Sequence, residues 1–109
     1  MTIDQVRRMI AAGVDQWKLS APGYELSERL SDLGVLLEDT VLEDLESINP
    51  TIVEKNAAVR AACIVREATS LCWRLWVETG ALPKQVSATM LNVITEGLAI
   101  IERADRRES

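Results

Sequence analysis

Residues 51–79 read TIVEKNAAVRAACIVREATSLCWRLWVET, and this stretch decides the fold. Its apolar residues recur at intervals of three and four, never two, which is the period of a helix with one buried side. Asn49-Pro50 precedes it and Gly80 follows it. Asparagine suits an N-cap, proline suits a first helical position that needs no donor, and glycine suits the stop. A helix of about 29 residues is about 44 Å long. That is long for a chain of 109 residues, so the sequence predicts an elongated bundle or a helix shared with a partner.

At about 100° per residue, one face of this third helix carries Ala57, Ala58, Ala61, Ile64, Val65, Ala68, Leu71, Cys72, Leu75 and Trp76. This is the expected core face, with alanines that admit a close neighbour and with Cys72 buried and inert. A second line runs Val59, Cys63, Arg66, Ser70, Trp73 and Val77. A face turned to water does not ordinarily carry a tryptophan and a valine there. Two readings follow. Another helix of the chain covers the line, or Val59, Cys63, Trp73 and Val77 form a self-association seam centred on the tryptophan, a residue type enriched at interface hot spots. Cys63 and Cys72 lie about half a turn apart and cannot share a metal or a disulfide within one helix.

Outward from this element, the first helix is expected from Thr2 to Leu19. Thr2 and Gln5 have the spacing of a capping box, and Ile3, Val6, Ile10, Val14 and Trp17 lie on one face. Ser20-Ala21-Pro22-Gly23 breaks it. The second helix starts near Leu26 with a stripe of Leu26, Leu30, Leu33 and Leu37. Continued unbroken, that stripe brings Asp44 to the buried side, which is costly for a lone carboxylate. Thr40 and Glu43 also have capping-box spacing. A kink or break near Asp39 is therefore expected, with a short helix over Thr40–Ser47 burying Leu42, Leu45 and Ile48. The fourth helix is expected from Pro83 to Ala104 with two apolar lines, Val86, Met90, Val93, Gly97, Ile100, Ala104 and Leu91, Ile94, Leu98, Ile101. Gly97 stands where a missing side chain lets a neighbour come close, at about 1 kcal/mol of helix propensity. Residues 103–109 read as a frayed, charged tail. The fold class is all-α, one domain over residues 1–109, an elongated bundle of four helices with a long third helix.

Composition narrows the function. Apolar residues make up 48%, charged residues 27%, and the net charge is −5. This is a globular chain without a basic footprint for direct nucleic-acid binding. Histidine is absent, which excludes histidine acid–base catalysis and histidine metal sites. Five scattered glycines make neither a phosphate loop nor a nucleophile elbow. Two cysteines are too few for a disulfide scaffold or a zinc finger. The start lacks the pattern of a signal peptide, and the most apolar stretch, residues 57–77, is interrupted by Arg60, Arg66 and Arg74. The expectation is a cytoplasmic protein with reduced thiols, off the membrane.

The charge is uneven. Glu25 to Glu46 holds eight acids against Arg29 alone, a net of −7. Glu28, Asp32, Asp39, Glu43 and Glu46 fall on one stripe of a continuous helix. Such a stripe is either a solvated outer face or a surface that docks on a basic partner, since carboxylates along a helix can imitate a row of phosphates. Small size, acidity and helicity fit a phage- or mobile-element-type inhibitor of a nucleic-acid-binding complex, an anti-CRISPR-like protein by analogy of size and charge. A third reading is enzymatic. Glu38-Asp39, Glu43 and the Glu102/Asp105 pair loosely resemble the carboxylate clusters of Mg²⁺-dependent all-α nucleotide pyrophosphatases, without their doubled glutamate. No catalytic, cofactor or metal-binding residue is assigned. The leading expectation is a non-enzymatic interaction module, a homodimer through the Trp73 seam, presenting its acidic second helix to a basic protein.

Overall fold

The computed structural model describes residues 1–20, 22–47 and 52–106, with side-chain surroundings for 1–20, 22–43 and 56–105. Four helices occupy the described residues: α1 (Ile3–Leu19), α2 (Tyr24–Ser47), α3 (Ile52–Thr79) and α4 (Lys84–Arg106). Each boundary has a local cause. Thr2 and Gln5 form the capping box, with Thr2 N donating to Gln5 Oε1 at 2.9 Å and Gln5 N to Thr2 Oγ1 at 3.2 Å. Gly80 ends α3 in the left-handed region at φ 70°, its N–H donating to Trp76 O at 3.0 Å. The Pro83 carbonyl accepts from Ser87 N at 2.8 Å and opens α4. The Asn49-Pro50 cap, Ile48 and residues 107–109 lie outside the described residues.

Each helix adjoins two others: α2 meets α1 and α3, and α4 meets α3 and α1. Cross-helix pairs fix the directions. Arg7 meets Glu102 and Trp17 meets Ser87 across α1–α4. Glu38 meets Arg66 and Tyr24 meets Trp73 across α2–α3. Both contacts are antiparallel, as the short connections require, and the bundle measures 43 × 20 × 19 Å. The 28 residues of α3 span about 42 Å and set the long dimension.

The core is built of large side chains from three helices against small ones from the fourth. Ile10, Leu30, Leu37, Val41, Ile94 and Ile101 surround Ala58, Ala61, Ala62, Val65, Ala68 and Cys72 of α3. Trp17 is buried with its indole N–H donating to Ser87 Oγ at 2.7 Å, so its polar end is satisfied.

Several details differ from the sequence reading. α2 runs unbroken through Asp39, and Thr40 is not a cap: it is buried in the helix interior with its hydroxyl donating to Leu36 O at 2.7 Å. The buried stripe Leu33, Leu37, Val41 advances by fours across Asp39 without a break; the side chains of Asp44 and Leu45 lie outside the described residues. Unbroken, the helix turns Leu42 outward at 44% exposure instead of inward. The buried arc of α3 is also rotated. Ala57 is exposed and Ile64 is 48% exposed, while Ala62 and Thr69 take the inner positions. The arc is centred between α2 and α4, and Thr69 is tolerated there because its hydroxyl donates to Val65 O at 2.9 Å. At the other end, α4 continues through Arg106 with Ala104 buried, so the helix reaches into the charged segment expected to fray.

Candidate functional site

α2 approaches α3 closely where Gly34 faces it. A Cβ at Gly34 would collide with Thr69 Oγ1 and lie 3.1 Å from Arg66 Cα, so only glycine lets the two backbones approach this way. One turn along, Arg66 Nε donates to Glu38 Oε2 at 2.8 Å, both side chains partly buried. That hydrogen bond, with a weaker one to Cys63, raises the Arg66 pKa and keeps the guanidinium charged. Cys63 Sγ in turn donates to Glu67 Oε1 at 3.8 Å. At the far end, Tyr24 meets Trp73 edge to face, ring centroids 4.5 Å apart. Trp76 donates its indole N–H to Pro22 O at 2.7 Å, tying the α1–α2 connection to α3.

These contacts show where the Trp73 line lies. Val59, Cys63, Arg66, Ser70 and Trp73 are partly buried along the flank of α2, and Val77 is 57% exposed. α2 covers one edge of the line and leaves the other open. The open edge continues onto α2 itself, through Tyr24 at 54%, Val35 at 47% and Leu42 at 44% exposure. Seven large apolar side chains are exposed among the described residues, and four of them share this outer α2–α3 face. The sequence reading missed Tyr24, Val35 and Leu42. Their spacing of 11 and 7 residues places them on one helical line, a signal hidden by the expected break at Asp39.

No protein family, curated protein or solved structure matches the chain. The surface must therefore be read from its own chemistry. With α2 continuous, Glu28, Asp32, Asp39 and Glu43 are exposed on one side of that helix, next to the apolar line. The side chain of Glu46 lies outside the described residues. Glu25, Glu28, Arg29 and Asp32 border a shallow hollow between α1 and α2 with Met9 and Leu33 at its floor. On the α3 side of the face, Arg60 and Arg74 are exposed and form no ion pair among the described residues.

The carboxylates of the enzymatic reading are not brought together. Glu38 is turned to Arg66, and Glu102 faces Arg7 at 3.6 Å on another side of the bundle. Among the described residues no group of three or more acids or cysteines is placed to hold a metal ion. Cys72 is 1% exposed, and burial pushes its thiol up to about 11, so it stays protonated and inert, as its place on the wheel implies. No helix among the described residues is long and apolar enough to cross a membrane.

Proposed function

We propose that this protein is a non-enzymatic helical interaction module that associates with a second copy of itself through the outer face of α2 and α3. The observation that carries the reading is the gathering of Tyr24, Val35, Leu42 and Val77 on one face, beside the partly buried Trp73. Apolar side chains scattered singly need no explanation, whereas a contiguous set rimmed by charge marks an interaction surface. A bundle of alanine-lined α3 and larger neighbours already has its core, so the outer set is left over for contact with another chain. The proposed setting is the cytoplasm.

Sedimentation velocity over a concentration series tests this. Wild type is expected to shift from monomer to dimer. Val35→Glu and Leu42→Glu, both at exposed positions, keep the helical circular dichroism and weaken association at least tenfold. Trp73→Glu abolishes it. Wild type that stays monomeric at every concentration overturns the reading.

A second reading is favoured by the row of exposed acids on α2. In it the acidic side docks on a basic protein, such as a nucleic-acid-binding complex that an anti-CRISPR-like inhibitor would occupy. Capture from lysate that falls with salt, and that is lost on Asp39→Lys with Glu43→Lys, supports it. Capture indifferent to both salt and charge reversal rules it out.

A further inference from the structure

We infer that the two copies pair about a two-fold axis running along the helices, so that α2 of one copy lies over α3 of the other. This deepens the self-association reading and rests on it. The pairs Gly34–Thr69, Glu38–Arg66 and Tyr24–Trp73 set the register of the two antiparallel helices. By that register Glu43 is level with Arg60, while Glu28 comes within two residues of the level of Arg74 and Val35 within two of Ser70, about 3 Å along the axis.

Two identical two-helix faces can close in two ways. With the axis across the helices, α2 lies on α2 and the acids of one copy face the acids of the other. Like charges set against each other cost binding and suppress that mode. With the axis along the helices, α2 lies on α3 at the same level, and Glu28 and Glu43 come opposite Arg74 and Arg60 of the second copy. All four side chains are exposed in the single chain, with no ion pair among the described residues. Two acids share this border of α3: Glu67, between these levels, is neighboured by Arg66 at 3.9 Å within its own chain, and exposed Glu78 stands one turn beyond Arg74.

The size of the face is consistent with a reversible dimer. From Tyr24 to Leu42 it runs about 27 Å, and two helices are about 20 Å wide. That gives on the order of 500 Å² per copy, at the lower end of specific interfaces. The Arg–carboxylate pairs then select the pairing mode more than they add affinity.

The test uses the full chain with Cys63→Ser, which leaves only the buried Cys72. Val35→Cys and Ser70→Cys are made as two separate proteins and treated with a short bismaleimide, alone and as an equal mixture. The expected result is a covalent dimer in the mixture and none in either protein alone. A covalent dimer of Val35→Cys alone means that α2 lies on α2, and it overturns the inference while self-association stands. A dimer in sedimentation with no cross-link in any sample also overturns it. A monomer in sedimentation removes the self-association reading itself.

Discussion

Two contact lines flank α3, one with α2 and one with α4, and they are alike inside and different outside. Each is closed from within by a glycine, Gly34 on the α2 side and Gly97 on the α4 side. Outside, the α3–α4 groove is lined by Ile64, Glu67, Ala68, Leu71, Met90 and Val93, of which Ile64 alone is an exposed large apolar residue. The α2–α3 face has an aromatic pair at one end, four exposed apolar side chains, acids along its α2 border, and Arg60 and Arg74 interleaved with Glu67 and Glu78 along its α3 border. Inner packing therefore says little about use. The rims are what distinguish the α3–α4 groove from the face proposed to meet a second copy.

The inner likeness can be broken by adding one methyl group at each glycine. At Gly34 the added Cβ meets Thr69 Oγ1 and the backbone of Arg66, and a backbone cannot step aside as a side chain can. Overpacking of this kind costs about 1–3 kcal/mol, against about 1 kcal/mol gained in helix propensity. At Gly97 the nearest atom is Val65 Cγ2 at 2.6 Å, followed by Ala61 O at 3.4 Å. A methyl group yields more easily. Urea denaturation is expected to show a net loss for Gly34→Ala and a smaller loss, or none, for Gly97→Ala.

This contrast also marks what the sequence could tell. Gly97 was legible because it interrupts an apolar line, where a missing side chain stands out. Gly34 sits beside Leu33 between the stripe and the polar side, and nothing local distinguishes it from a weak helical residue. The four helices, the Thr2–Gln5 cap and the Gly80 stop were legible because period and capping are local. The continuity of α2 was not, since the stripe's drift from Leu33 to Val41 by fours mattered more than the capping-box spacing at Thr40. With the break assumed, Leu42 was turned inward and the outer face lost its α2 half. Of the candidate site, Val59, Cys63, Trp73 and Val77 were legible because apolar residues on a second line are anomalous. Which edge of that line stays open depends on where α2 lies, a tertiary fact.

The outer difference is sharpened by placing one charge on each side of α3. Ile64 and Val35 have nearly the same exposure, 48% and 47%, so glutamate at either position costs the single chain little. Val35→Glu is expected to weaken association at least tenfold, and Ile64→Glu to leave it within about twofold, read side by side in sedimentation. Tenfold in a dissociation constant is about 1.4 kcal/mol. Equal effects would mean that both flanks of α3 are used and that the rims do not discriminate.

The two cysteines carry the same comparison to its smallest effect. Cys63 lies on the outer line, partly exposed, while Cys72 is sealed among the core residues. A thiol reagent is therefore expected to modify one group per folded chain promptly and the second only on unfolding. Burial raises the Cys72 thiol from 9.0 to about 11 in the folded chain. Between those values the unfolded chain releases this proton and the folded chain keeps it, so the unfolded state is favoured as pH rises. The stability that Cys72 contributes as a neutral thiol is complete below about pH 9 and is lost progressively toward pH 11. Cys72→Ala removes that dependence while leaving every other alkaline titration in place. The difference between the two unfolding curves across this window isolates the group. A wild-type curve parallel to that of Cys72→Ala from pH 8 to 11.5 would show that the thiol is not sealed, and that the α3 core opens more readily than its alanine packing implies.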